Sequence, residues 1–328
     1  MGSEQVQLTM AVAEYDHLRD LAAGRVPIPG FDLKCLVLPV EKIFGRFIKQ
    51  REWQVSEMSM GKYAALVSQG DRSLSAIPVF PARLFRHHAI YVRADGPVHA
   101  PADLRGRKIG IPEWALTAVV YARAILMHEH GLLLSEIDWV QAGVNEPGGQ
   151  EKVRVNVPDG IRLRAVADNT LDAMLVAGEI DALIASEPPK SFAAPNSVIR
   201  RLFSDWREAE RHYWRTTGIF PIMHTVVIRA DVLASYPGLP RALLAGFEEA
   251  KKRSFARLLG ASNMQIPLPW LGAYAQDLLA EFGPDFWPYG FQKNLPTLRA
   301  FLRFAFEQGV CERAVEPEEL FSSSVRDT

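Results

Sequence analysis

The stretch IPVFPARLFRHHAIYV, residues 77 to 92, is the densest chemical segment in the chain. Arg83, Arg86, His87 and His88 offer cationic and proton-carrying groups there, beside the flat apolar rings of Phe80 and Phe85. A guanidinium fork binds a carboxylate through two parallel hydrogen bonds, and imidazole titrates near neutrality, which suits proton transfer. The same residue types also fit a solvated basic turn whose phenylalanines lie in the core. If HHAIYV is extended, neighbouring side chains point to opposite faces, so His87 and His88 do not both face a ligand.

His224, in FPIMHTVVI, lies on an apolar strand-like run. It reads either as a hydrogen-bonded core histidine or as a proton-transfer group. His17, His99, His128, His130 and His212 sit in polar or helical contexts. His128 and His130 are two apart on a helix and do not share a face, so they make a poor metal pair. HExxH, CxxC, GxGxxG, P-loop and GxSxG arrangements are missing from the sequence. No organic cofactor or metal site is therefore expected, and a metal-assisted role for the His and Glu residues stays a third reading with little support from spacing.

The elements that must position these groups alternate between strand-like and helical, the pattern of mainly parallel sheets flanked by helices. Residues 6 to 13 read as a strand, followed by Glu14-Tyr15-Asp16 and a helix ending at Gly24. FDLKCLVL reads as a strand and EKIFGRFIKQ as a helix; WQVSEMS then runs into the helix MGKYAALVSQG, with Ser59 suited to cap it. HAIYVRA reads as a long strand, and a new unit opens at Pro101, with the strand KIGI and a long helix from Thr117. Ligands gather where strands end and helix N-termini offer free N–H groups. Three such junctions are Glu14-Tyr15-Asp16, Ser56-Glu57-Met58-Ser59, and Pro112-Glu113-Trp114 with Thr117. Ser59 and Thr117 read equally well as plain helix caps. His88-AIYV-Arg93-Ala-Asp95 and His224-TVVI-Arg229-Ala-Asp231 share one spacing and suggest a pair of hinge strands passing between lobes.

With 328 residues, 48% hydrophobic and 23% charged, the chain has material for two domains and a large core. A net charge of -1 argues against binding to nucleic acid or anionic membrane, so an anionic ligand must be met by local geometry. The start of the chain lacks the pattern of a signal peptide, and cytoplasm is the expected compartment. Cys35 and Cys311 read as buried apolar residues and imply no disulfide framework.

Several stretches together, VSEMS, IPVFPARLFRH with AIYVRAD, DLRGRKIGIPEW, GEIDALI, TGIFPIMHTVVIR and FWPYG, resemble 4,5-dihydroxyphthalate decarboxylase and its relatives along nearly the whole chain. ASEPPKSF, residues 185 to 192, is less typical. The resemblance implies an α/β, two-lobed type 2 periplasmic-binding-protein-like fold, with lobe 1 at 1–95 and 225–328, lobe 2 at 96–224, and two hinge strands. It implies decarboxylation of a hydroxylated aromatic dicarboxylate without a cofactor, by acid-base catalysis between the lobes. The expected proton-transfer groups are His87 or His88 with His224, and Glu57 or Glu113 as an alternative acid or orienting group. Arg83 and Arg86 are expected to hold the retained carboxylate. Phe80, Trp114 and Phe220 would form an apolar wall, with Tyr15, Ser59 and Thr117 also at the substrate. The alternative is a solute-binding protein or sensor for a small organic anion, without catalysis. A homo-oligomer is compatible with either reading.

Overall fold

The computed structural model describes residues 5–260 and 266–328. In chain order its regular elements begin with β1 (Val6–Val12), α1 (Arg19–Ala22), β2 (Phe31–Val37), α2 (Val40–Gln50), β3 (Val55–Ser59), α3 (Met60–Ser68) and β4 (Leu74–Ile77). Next come β5 (Ile90–Arg93), β6 (Lys108–Ile111), α4 (Thr117–His128), β7 (Asp138–Gly143), β8 (Arg162–Thr170), α5 (Leu171–Ala177), β9 (Ala182–Ile184), β10 (Ile199–Arg201) and α6 (Trp206–Thr217). The chain then returns through β11 (His224–Arg229), α7 (Ala230–Ser235), α8 (Leu239–Leu259), α9 (Leu271–Phe282), α10 (Leu295–Glu307) and α11 (Pro317–Leu320).

The strands form two sheets, ordered β2-β1-β3-β11-β4 and β10-β5-β9-β6-β7-β8. β1 lies parallel to β2 and β3, whereas β11 runs antiparallel between β3 and β4. The second sheet repeats the device: β9, β6, β7 and β8 are parallel neighbours, and β5 runs antiparallel to both β9 and β10. Each sheet therefore holds one reversed strand. The chain changes sheet within 78–89 and returns within 202–223. These crossings run side by side, bridged antiparallel at Arg83 and Ile222 and by the Met223 N–H on the Ala82 carbonyl at 2.8 Å.

The two sequence segments of equal spacing are not the crossings themselves. β5 and β11 each stay within one sheet, and what repeats is a local stop: Arg93 grips Asp95, and Arg229 grips Asp231, through paired hydrogen bonds. The strand expected from His88 is also shorter, because residues His87–Ala89 form a 3-10 turn before β5 begins. Cys311 is buried, while Cys35 is only partly so.

Burial explains the patterning. α10 places Leu298, Phe301, Leu302 and Ala305 in the core at the spacing of one helical stripe. α4 is buried along most of its length, with α3 and α10 packed against it, and so reads apolar with no polar face. Its one internal charge, Arg123, is accommodated by Gln308 Oε1 and the Trp114 carbonyl, each at 2.7 Å, and by stacking on the Trp114 ring. No helix among the described residues is long and apolar enough to cross a membrane.

Candidate active site

The carboxyl ends of β1 and β3 meet the amino end of β11 at one edge of the first sheet, and this edge carries a buried acid. β3 is buried along its whole length, so Glu57 has no route to solvent. A carboxylate in that position is tolerable only if its lone pairs are satisfied. The register supplies the partners: His224 pairs with Ser59 and Val226 with Glu57, so the side chains of Glu57, Ser59 and His224 share a face. His224 Nδ1 lies 2.6 Å from Glu57 Oε1, and the Tyr15 hydroxyl donates to the same oxygen at 2.7 Å. The Ala13 N–H donates to Oε2 at 2.7 Å.

Burial alone would raise the Glu57 pKa. The hydrogen bond and charge of His224, with the Ala13 N–H and the Tyr15 hydroxyl, outweigh that and hold the carboxyl below its ordinary range. Burial and the neighbouring Glu57 charge push the Tyr15 phenol far up, so it remains a donor. An ionised Glu57 accepts a hydrogen bond from the His224 Nδ1–H, which leaves Nε2 for chemistry. Nε2 has no partner among the described residues, and the His224 side chain keeps 18% of its surface exposed, against 0% for Glu57. Phe44 packs edge-on against the imidazole, with centroids 5.0 Å apart.

The second sheet contributes the turn after β6. Ser59 Oγ and Thr117 Oγ1 are 3.0 Å apart, and the Gly61 N–H donates to Thr117 Oγ1 at 2.9 Å. Ser59 thus does not cap α3 with its own side chain; a hydroxyl from α4 meets that helix end instead. The approach demands glycine at 61, where a Cβ would stand 2.5 Å from the Ala115 carbonyl oxygen. Lys62, almost completely buried, pairs with Glu113 at 2.8 Å, and Glu113 also pairs with Lys152 at 2.8 Å.

The remaining expected site residues fall elsewhere. Arg83 donates to the carbonyls of Phe220 at 3.0 Å and Pro288 at 2.9 Å and to the Asn294 side chain, so its fork is occupied by the protein. Arg86 is buried, with Nε on the Met223 sulfur, and makes no ion pair among the described residues; burial lowers its pKa to about 10. His87 is buried between Phe203 and Tyr213. His88 is held by Glu210, Nδ1 to Oε1 at 2.7 Å. Phe80 and Trp114 are core residues: the first packs on Phe321, and the second donates its indole N–H to the Gln308 carbonyl. Phe220 is partly exposed and, with Arg83, His88 and Arg201, lines a separate open cavity of about 790 Å³ between α6 and α9. The segment 77–92 is therefore chiefly a crossing between sheets. The sequence reading did not single out Phe44, which packs on His224, or Lys62 and Lys152, which pair with Glu113. A lysine inside the apolar helix run MGKYAALV was the one available signal among them.

The chain is 36% identical over 318 residues to a 4,5-dihydroxyphthalate decarboxylase of Comamonas testosteroni, covering 97% of this chain and 96% of that one. A protein of the same name from Pseudomonas putida is 36% identical over 212 residues, covering 64% of this chain and 82% of its own. The chain belongs to the 4,5-dihydroxyphthalate decarboxylase family. Its relatives carry the name of an enzyme, and the Tyr15–Glu57–His224 cluster joins an imidazole to a buried carboxylate in this member. No protein-family model matches the sequence. Among solved structures, the Escherichia coli aliphatic sulphonate binding protein SsuA superposes with a TM-score of 0.56 at 15% identity, covering 98% of this chain and 93% of its own. The desulfurization enzyme DSZB, as a point mutant in complex with biphenyl-2-sulfinic acid, gives 0.55 at 18%, covering 97% of each chain. These likenesses establish the fold: two α/β lobes of the type 2 periplasmic-binding-protein kind. Among the described residues, no group of three or more His, Cys, Asp and Glu side chains is placed to hold a metal ion.

Proposed function

We propose that this chain decarboxylates a hydroxylated aromatic dicarboxylate, 4,5-dihydroxyphthalate to protocatechuate, in the cleft between its lobes. The observation that carries the reading is His224, oriented by a buried carboxylate and open on its other ring nitrogen. In the reaction, Nε2 takes the proton from the ring hydroxyl para to the departing carboxylate. The phenolate pushes an electron pair into the ring, and the carbon bearing that carboxylate takes a proton, giving a non-aromatic dienone. A second acid delivers that proton, because the carbon lies across the ring from the hydroxyl at Nε2. The bond to the carboxylate then breaks, and carbon dioxide leaves as aromaticity is restored. The electrons of that bond return through the ring to the oxygen, which recovers its proton from the His224 imidazolium. Glu57 stabilises that imidazolium by charge and fixes the ring, while Tyr15 and the Ala13 N–H keep Glu57 ionised. In this account Ser59 and Thr117, whose hydroxyls lie 3.0 Å apart, hydrogen-bond a substrate oxygen. Arg83 acts as a structural residue in this account.

The second reading, an anion-binding protein without catalysis, draws support from the fold shared with sulfonate-binding proteins. Incubation with 4,5-dihydroxyphthalate and a panel of hydroxylated aromatic acids, recording both binding and carbon dioxide, separates the two. The proposal expects carbon dioxide from the wild type and a loss of about 10²-fold or more in turnover for folded His224→Gln. Binding without carbon dioxide would establish the second reading instead.

A further inference from the structure

Residues 144–161, between β7 and β8, have no regular structure but are tied down at several points. Gln141 Nε2 donates to the Gly149 carbonyl at 2.6 Å, Gln69 Nε2 to the Arg154 carbonyl at 2.8 Å, and the Asn156 N–H to the Gly309 carbonyl at 2.9 Å. The segment is thus a strap from the second sheet to α3 and the end of α10. Midway it turns two charged groups inward. Lys152 reaches Glu113, the partner of Lys62. Glu151 accepts the backbone N–H of Trp114 and, at 3.3 Å, that of Ala115.

Two adjacent N–H groups beside a buried lysine make a carboxylate cradle, and the chain's own carboxylate fills it. Lys62 Nζ lies 5.9 Å from the Phe44 ring centroid, and the same ring packs on His224, so cradle and triad share one wall. Burial, partly countered by the Trp114 N–H, and the nearby Glu113 charge hold the Glu151 carboxyl above its ordinary range. A carboxylate held there at such a cost is replaceable by one that arrives with better compensation.

We propose that Glu151 is a resident stand-in for a substrate carboxylate, which displaces it from the Trp114 and Ala115 N–H groups and takes Lys62 as counter-ion. The inference rests on the reading above that an aromatic carboxylate enters this cleft. It assigns to Lys62 the anchoring role that the sequence suggested for Arg83 and Arg86.

Phthalate is the probe, because it lacks the hydroxyl the reaction needs and reports binding alone. Calorimetric titration of the wild type, Glu151→Gln, Glu151→Ala and Lys62→Met should show phthalate bound about tenfold more tightly by both Glu151 variants and about tenfold more weakly by Lys62→Met, each a shift of about 1.4 kcal/mol. A purely structural role for Glu151 would lower affinity when the residue is changed, so the direction discriminates. If the alanine variant does not fold, the glutamine variant, which keeps the side-chain volume, decides. Unchanged or weaker binding by the folded Glu151 variants, or no phthalate binding by any of the proteins, overturns the inference. Tighter binding with no carbon dioxide from 4,5-dihydroxyphthalate would preserve it while removing the decarboxylase reading.

Discussion

Glu57→Gln changes the candidate triad with the least change of shape. In the native arrangement Oε2 takes the Ala13 N–H, while Oε1 takes the Tyr15 hydroxyl and His224 Nδ1 at 2.7 and 2.6 Å. A backbone N–H donates only, so the new amide must turn its oxygen toward Ala13 and its NH₂ toward His224 and Tyr15. Nδ1 is then forced to accept, and the single proton of the neutral imidazole moves to Nε2. In that tautomer the ring has no lone pair for the substrate hydroxyl. The expected loss is that of general acid-base catalysis, about 10² to 10⁴ in kcat, or about 3 to 5 kcal/mol in the barrier. KM should hold nearly constant, because Glu57 touches no substrate atom. The Tyr15 hydroxyl loses its acceptor, which should cost about 1 to 3 kcal/mol of stability. The assay is carbon dioxide release at saturating substrate, with circular dichroism to verify folding. A folded Glu57→Gln protein with near-native kcat would refute the orienting role of the carboxylate.

Three further outcomes follow from the geometry. Arg83→Met should leave the Phe220 and Pro288 carbonyls and the Asn294 side chain short of a donor, lowering the denaturant midpoint by the equivalent of about 1 to 3 kcal/mol with KM unchanged; a raised KM at native stability would place Arg83 at the substrate. Gly61→Ala drives a Cβ against the Ala115 carbonyl oxygen and should cost about 1 to 3 kcal/mol by overpacking, with an unaltered melting temperature counting against the tight contact between the halves. His17, with its buried Nε2 unpaired among the described residues, has its pKa pulled by burial from 6.5 to about 4. Between those values the unfolded chain binds a proton that the folded chain refuses, so stability falls as pH drops through that window, by up to about 3 kcal/mol. His17→Phe should flatten that dependence in urea unfolding series near pH 7 and near pH 5, and an identical slope would remove His17 as its source.

The architecture was legible because its signals are local. Alternating strands and helices, the stripe of α10, the end of α5 at Gly178 and the start of α4 at Thr117 follow from periodicity and turn chemistry. The candidate triad was legible only in pieces. Tyr15, Glu57 and His224 each stood at a strand end, but their meeting depends on β11 entering antiparallel beside β3 with His224 opposite Ser59. That register is a long-range fact with no local signature. The arginines of 77–92 drew attention by density, yet a crossing segment surrounded by backbone carbonyls also needs donors, and Arg83 meets that need. Glu151 and Lys152 lie in an irregular stretch whose composition says only that it is a loop.

The position of a bound aromatic acid tests the account most directly. A crystal structure with protocatechuate should place the ring against Phe44 and its carboxylate toward Lys62. The ring hydroxyl para to the vacated carbon, which is meta to the retained carboxylate, should lie within hydrogen-bonding reach of His224 Nε2. A ring lodged instead in the cavity between α6 and α9, beside Arg201 and His88, with His224 untouched, would contradict it.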